Sequence, residues 1–197
     1  MDKYFSRLKE RIQRSVFVNE VLWNELKAQG TIIHVKKNEN LVNQSSRKRN
    51  IFYIASGSFM HSLVSETGYS QAVWFFFDET FDFTTCLDSY FLNKPTKYTI
   101  TAMEDSVVIQ YSKEAMDNII KNYPAFNEFF IGHITLDLVI LNEYRAYSLV
   151  NGPLDTMKYL EENCPEVSKR VSSKNMAHFL GISPEWYSKL KKKLDSK

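Results

Sequence analysis

Cysteine is scarce in this chain of 197 residues: Cys86 and Cys164 stand alone, without a CxxC pair or a histidine at ligand spacing. That excludes a structural zinc site or a cysteine-ligated iron–sulfur cluster within one chain, since both need clustered ligands. Both thiols read as small buried or idle residues, and two cysteines in a cytoplasmic chain seldom form a disulfide. Glycine is sparse too, six residues in all, and none belongs to a phosphate-cradling loop or a nucleophile elbow. With no metal-ligand cluster either, the chain reads as a non-enzyme, and paired acids such as Asp78 and Glu79 read as a turn. His34, His61, His133 and His178 are scattered, each a surface or core histidine rather than a ligand. No apolar run approaches membrane-spanning length, and the first ten residues lack a signal-peptide core. The expectation is a cytoplasmic protein without membrane contact. Repeats and low-complexity segments are also missing.

Charge of one sign is nearly lacking as well. A formal charge of +2 on 25 basic and 23 acidic residues is too small to argue for nucleic acid. Its distribution says more. Between Val167 and Lys197 eight basic residues face two acidic ones, so this tail carries +6 and the preceding 166 residues carry −4. Phosphate binding leaves such a footprint.

The same tail holds the most readable motif. Met176, Ala177, Leu180, Gly181, Ile182, Tyr187 and Leu190 are spaced as two short crossed helices require, with Ala177 allowing close approach and Gly181 a positive φ in the turn. Ser183 is a good N-cap, Pro184 suits the first helical position, and Glu185 favours the positive end of the helix dipole. The second helix is expected from Pro184 to about Leu194. Its outward face carries Glu185, Trp186, Ser188, Lys189, Lys192 and Lys193, while Tyr187, Leu190 and Leu194 turn inward. This is a helix-turn-helix, and a helix entering a major groove needs such a face. The plainer reading is an amphipathic hairpin with a solvated lysine side.

Upstream, residues 3 to 28 show helical patterning, with Asn19 a cap and Gly30 a terminator. From Thr31 to Tyr111 short β-rich segments (31–35, 41–43, 50–55, 58–64, 69–77, 98–102 and 107–111) alternate with polar turns such as Ser65-Glu66-Thr67-Gly68, which predicts a small antiparallel sandwich or barrel. Trp74-Phe75-Phe76-Phe77 either fills a core or walls a ligand cavity. Between Asp78 and Leu92 the strand pattern lapses, and Phe81, Phe83, Leu87 and Tyr90 or Phe91 are expected along one side of a short helix. Ser112 caps a helix through Lys121. A longer one runs from about Ala125 to Ser148, apolar over so much of its circumference that it needs cover on two sides. The sandwich can supply one side, and either a second subunit or the rest of the chain the other. Asn151-Gly152-Pro153 is the candidate hinge, followed by a helix from Pro153 to Asn163.

A β-rich N-terminal part, a long helix and a C-terminal helix-turn-helix, in that order, resemble the Crp/Fnr family of bacterial transcription regulators. The residues carrying the likeness are Val171 to Leu194, Phe52-Tyr-Ile-Ala-Ser-Gly-Ser58, and Ala102-Met-Glu-Asp-Ser-Val-Val-Ile109 leading into Ser112-Lys-Glu-Ala-Met116; the short regulators common in Bacteroidetes look most similar. The resemblance implies an α+β fold. Residues 1–124 would form a cyclic-nucleotide-binding-like antiparallel β-roll with flanking helices, 125–150 a dimerisation helix and hinge, and 151–197 a helix-turn-helix domain. It also implies a homodimer on palindromic promoter DNA, with RNA polymerase and an unidentified small-molecule effector as further candidate partners.

Ser183, Glu185 and Lys189 match family positions at the DNA surface, where Glu185 can accept from a cytosine amino group and Lys189 can donate to guanine O6 or N7. Ser173, Lys174, Lys192 and Lys193 are assigned to phosphates. Ser188 shares the outward face, and Trp186 either touches a thymine methyl or packs on the hinge helix. The family's β-hairpin wing has no counterpart after the second helix, which implies weaker or more dimer-dependent DNA binding. In the family's effector pocket a Gly-Glu pair serves the ribose hydroxyl and an Arg-Ser or Arg-Thr pair the cyclic phosphate. Here Thr96 and Lys97 stand where the latter pair would be, and phenylalanines including Phe83 surround the glutamate position. Without a bidentate guanidinium, Lys94 or Lys97 supplies only a point charge. The candidate pocket residues are therefore Phe83, Lys94, Thr96 and Lys97, with cyclic AMP not expected to bind, no cofactor expected, and the effector either another small molecule or replaced by the chain's own phenylalanines. A dimeric sensor or adaptor whose helix-turn-helix contacts protein is the alternative function.

Overall fold

The computed structural model describes residues 2–195 apart from 67 and 69. Readings that involve Thr67, Tyr69 and Lys197 lie outside the described residues. In chain order the elements are α1 (Asp2–Gln13), α2 (Glu20–Gln29), β1 (Thr31–Val35), β2 (Asn40–Val42), β3 (Asn50–Ser56), β4 (Ser58–Val64), β5 (Ser70–Phe77), β6 (Phe83–Thr84), α3 (Leu87–Leu92), β7 (Tyr98–Ala102), β8 (Ser106–Ser112), α4 (Lys113–Asn122), α5 (Pro124–Val150), α6 (Pro153–Asn163), α7 (Pro165–Arg170), α8 (Ser173–Leu180) and α9 (Pro184–Asp195).

The strands form two four-stranded antiparallel sheets, ordered β1-β8-β3-β6 and β2-β7-β4-β5, facing one another as a β-roll. Residues alternate between two faces along a strand, and in β3 both faces are buried. Phe52 and Ile54 point into the roll with Val35, Phe59, Ile100 and Val108. Ile51, Tyr53 and Ala55 point outward, where α1, α2, α4 and the first half of α5 cover them with Leu8, Leu22, Met116 and Phe126. This explains the nearly unbroken apolar run Ile51 to Ala55, which lacks the polar alternation of a strand with one wet face.

Local chemistry sets the helix ends. The Asn19 side chain accepts from the Leu22 N–H at 2.9 Å and starts α2, and the Ser112 hydroxyl accepts from the Ala115 N–H at 3.1 Å and starts α4. Gly30 ends α2 as expected. Its reason is space: a Cβ there would lie 2.8 Å from Ile109 Cγ2 and 2.9 Å from the Tyr111 hydroxyl.

Two expectations need correction. The segment from Asp78 to Leu92 is not one helix face. Phe83 and Thr84 pair with Tyr53 and Phe52 as β6, and α3 begins only at Leu87. Its apolar residues serve separate partners, so helical spacing among them was accidental. The membrane reading also changes. Although His133, Asp137 and Asn142 interrupt any contiguous apolar run, α5 is long and apolar enough by length and composition to cross a membrane. In the fold its first half buries Phe126, Phe129, Phe130 and His133 against the roll. Ile131, Leu136, Leu138 and Val139 remain exposed on another face.

Overpacking beside Ile109 should cost about 1–3 kcal/mol in Gly30→Ala. Gly152, with open space around it and φ of −74°, should tolerate alanine within about 0.5 kcal/mol. Urea midpoints of the two variants check this; equal losses would contradict the tight packing around Gly30.

Candidate functional site

The C-terminal helices obey the rules that made them readable. The Ser172 hydroxyl accepts from the Asn175 N–H at 3.3 Å and begins α8. Gly181 ends it at φ 66°, with Ile182 N–H donating to the Ala177 carbonyl at 3.0 Å and Gly181 N–H to that of His178 at 3.3 Å. This is the Schellman pattern that reverses a chain after a helix. Ser183 then accepts from the Trp186 N–H at 3.1 Å and begins α9. Met176, Ala177 and Tyr187 are buried between the two helices and α6.

Every residue assigned to DNA is exposed: Ser173 and Lys174 in the first turn of α8, the cap Ser183, and Glu185, Trp186, Ser188, Lys189, Lys192 and Lys193 on α9. Helical spacing aligns Glu185, Ser188, Lys189 and Lys192 as one stripe, flanked by Trp186 and Lys193. Trp186 is 48% exposed, so it faces solvent rather than the hinge helix. The Glu185 carboxyl is held below the usual carboxylate range by its own backbone N–H and the Ser183 hydroxyl. It is ionised and turned toward the start of its own helix. Ser188 donates to the Pro184 carbonyl at 2.9 Å.

The helix-turn-helix does not swing free of the β-roll. Strand β5 is an edge strand, and covering by a helix is one way such an edge is kept from pairing with another chain. Here α8 covers it: the Gln71 side-chain amide donates to the His178 carbonyl, and His178 Nε2 donates to the Ser70 carbonyl. Phe179 packs edge-on against Phe75 and Trp74, with ring centroids 5.1 and 5.8 Å away, and stacks on Tyr144 of α5 at 5.3 Å. Trp74, Phe75 and Phe77 thus fill a core, but that core is shared with α5 to α9. A second fastening is ionic. Arg170, at the end of α7, donates to Asp78 and to Glu104, each at 2.7 Å, and to the Gly57 carbonyl at 3.1 Å. Part of the tail's positive charge is therefore spent inside the molecule. Sequence reasoning missed Arg170 because its partners lie 92 and 66 positions away.

The four residues proposed for an effector pocket do not come together. Thr96 is buried beside Cys86, its hydroxyl accepting from the Tyr98 N–H at 3.0 Å. Lys94 and Lys97 project into solvent. Phe83 faces the opposite side of its sheet, packed on Tyr53, Phe130 and His133. Between the sheets stands His61, which the sequence did not single out. Its Nε2 lies 3.0 Å from the Thr84 hydroxyl, and its ring lies 4.7 Å from Phe76 and 6.1 Å from Tyr98. An open cleft of about 310 Å³ lies elsewhere, at the mouth of the roll, with Ile33, Leu41 and Phe52 as its floor and Asn43, Lys48 and Gln110 on its rim.

Beneath α5 lies a third polar group. Asp82 is fully buried, with Arg11 Nε donating to Oδ2 at 2.8 Å and His133 Nε2 standing 2.7 Å from Oδ1. Arg11 also donates to His133 Nδ1 at 2.7 Å, which makes Nε2 the protonated nitrogen. Asp137 stands 3.7 Å from that Nε2.

Comparison with known proteins agrees with this geometry. Residues 32–123 match the cyclic nucleotide-binding domain family. The chain superposes on CLP, a c-di-GMP responsive global regulator of Xanthomonas campestris, with a TM-score of 0.70 at 12% identity over 90% of this chain and 92% of that one. A CooA mutant from Carboxydothermus hydrogenoformans gives 0.67 at 16% identity over 93% and 82%. FixK2 from Bradyrhizobium japonicum gives 0.66 at 12% identity over 85% of each chain. Among curated sequences none matches.

Two buried groups should oppose each other in acid. Burial lowers His61 from 6.5 to about 4, so the unfolded chain takes up a proton the folded one refuses, and stability falls as pH drops from 6.5 towards 4. Burial raises Asp137 from 3.8 to about 6, so the folded chain keeps a proton the unfolded one has lost, and stability falls as pH rises from 4 to 6. Relative to wild type, His61→Gln should therefore lose stability, and Asp137→Asn gain it, as pH rises from 4 to 6, each by on the order of 2 kcal/mol. Urea midpoints across this range check both signs; slopes parallel to wild type would contradict them.

Proposed function

From the premise that residues 32–123 belong to the cyclic nucleotide-binding domain family within a chain of Crp/Fnr architecture, we propose that the protein is a homodimeric transcription regulator that reads palindromic DNA through α8 and α9. One observation carries the proposal. The outward stripe of α9 is exposed along its whole length while Tyr187 is buried and Leu190 and Leu194 pack inward, the division a groove-entering helix requires. CLP is a regulator of gene expression, and that role is what is carried over from the structural likeness.

Lys189 and Glu185 are the base-reading side chains in this proposal, with Lys189 donating to guanine and Glu185 leaving its helix end to accept from cytosine. Ser173, Lys174, Lys192 and Lys193 hold phosphates and set the register. Two half-sites need two copies. The open face of α5, with Ile131, Ile134, Leu138 and Leu149 close to heptad spacing, is the surface proposed to pair them. Residues 1–124, 125–150 and 151–197 then act as sensory domain, dimer helix and reading domain, in a cytoplasmic protein. Cyclic AMP is not the effector in this reading: no arginine stands at Thr96, and His61, Phe76 and Tyr98 occupy the space between the sheets. RNA polymerase is a further proposed partner.

Anisotropy titrations of labelled duplexes test the assignment. Lys189→Ala should cost about 1–3 kcal/mol on the preferred site and little on random duplex. Lys192→Ala should weaken both alike and reduce the salt slope by about 1. Adding cyclic AMP should leave the wild-type curve unchanged. Equal losses on both duplexes for both variants would reject the base-reading role, and salt-independent binding would favour a protein partner instead.

A further inference from the structure

Among the described residues, the buried polar side-chain atoms without a hydrogen-bond partner are Trp74 Nε1, Asp82 Oδ1 and His133 Nε2. All three lie in or against the turn that joins β5 to β6. The Trp74 ring meets Phe81 edge-on, with centroids 5.2 Å apart. Asp82 closes the turn, and His133 Nε2 stands 2.7 Å from its Oδ1, at ion-pair distance but without the alignment of a hydrogen bond. Between them Phe81 has φ 54°, a left-handed conformation that bulky residues rarely adopt. A left-handed phenylalanine next to a fully buried carboxylate on one short segment marks an element held in place by its surroundings rather than by its own preference.

Those surroundings come from both ends of the molecule. Two arginines one helical turn apart on α1 grip the turn: Arg7 Nη1 lies 3.4 Å from Asp78, and Arg11 Nε lies 2.8 Å from Asp82. His133 reaches Asp82 from α5. From the opposite side Arg170 reaches Asp78, lays its guanidinium 5.2 Å from the centre of the Phe77 ring, and bridges to Glu104 in the turn before β8. The turn from Asp78 to Asp82 thus joins α5 through charged groups to α7, the helix that leads into the reading helices.

We infer that this turn is a coupling clamp: it fixes α8 and α9 against the sensory domain in an orientation that presents their DNA surface, and its displacement releases them. The inference rests on the DNA-reading role proposed for α9. Presentation rather than occlusion follows from what the docking uses. His178 and Phe179, in the second half of α8, meet β5, while Ser173, Lys174 and the outward stripe of α9 stay open to solvent. A released unit tethered at Asn151 and Gly152 would keep its reading face but lose its fixed relation to a second copy. Half-site binding would survive, and cooperative binding of a palindrome would not.

Arg170→Ala and His133→Gln, compared with wild type in the full chain, test this by amide hydrogen exchange and by anisotropy. The probes are a palindromic duplex recovered from a random pool by the wild-type protein, and its isolated half-site. Arg170→Ala should speed exchange in β5 and α8 at least tenfold while leaving α2 and α4 unchanged, and should weaken palindrome binding about tenfold with half-site binding unaltered. His133→Gln should speed exchange at the same β5–α8 seam although His133 does not touch α8, an effect that a purely local role would not produce. If Arg170→Ala unfolds throughout, Glu104→Gln, which keeps the Asp78 pair, should show the same pattern at about threefold. Seam exchange equal to wild type in Arg170→Ala, or seam exchange unmoved by His133→Gln, overturns the coupling. Faster seam exchange with palindrome binding unchanged or tighter overturns the presenting orientation. If wild type binds no duplex at all, the DNA-reading proposal fails while the exchange measurements still decide whether the clamp exists.

Discussion

Strand β5 carries four large aromatic side chains in succession, Trp74 to Phe77, and a free edge; water cannot accommodate the first, and the second invites pairing with another chain. Its inward residues are absorbed by the roll. Trp74 and Phe75 need a second cover, which α8 provides with Phe179 and α5 with Tyr144. Removing a buried aromatic side chain costs about 3–5 kcal/mol, a large share of the stability of a domain this size. Docking of the helix-turn-helix is therefore part of how the β-roll completes itself. The usual picture of a reading domain on a loose hinge does not describe this chain.

The long helix lives under the same constraint. Its first half closes the outer face of one sheet through Phe126, Phe129 and Phe130, and its second half meets the shared core through Ile140, Leu141 and Tyr144. That leaves further exposed Ile, Leu and Val, which nothing among the described residues covers. A helix apolar around most of its circumference is explained once it has two intramolecular neighbours and a place for a second copy. The buried Arg11–Asp82–His133 group lies where the helix leaves the sheet. Its polar atoms are paired closely enough to be tolerated in the interior, and they tie α1, α5 and the β5–β6 turn together.

How much of this was legible depends on distance along the chain. The helix-turn-helix was readable because its cap, its left-handed glycine and its apolar spacing all act within a few residues: Ser183, Gly181 and Tyr187 each do locally what their type suggests. The β-roll was readable because alternation and turn residues are also local, down to Ser112 capping α4. The stretch after β5 failed. Phe81, Phe83, Leu87 and Tyr90 or Phe91 were expected on one helical side, but the first two are claimed by a shared core and a two-residue strand. The effector residues are not brought together for a related reason: matching Phe83, Lys94, Thr96 and Lys97 to family positions says nothing about which side of a sheet each one faces. The roles of Arg170 and His133 were invisible because they depend on acids in distant turns, and a positive charge near a reading helix is most simply counted towards DNA.

The central claim is that two copies of this chain read DNA as one unit. Selecting bound duplexes from a random pool with the purified protein tests it most directly. The expected result is enrichment of a palindrome whose half-sites are centred about 10 base pairs, or a multiple of that, apart. Recovery of no preferred sequence, or of a single unrepeated half-site, would contradict it.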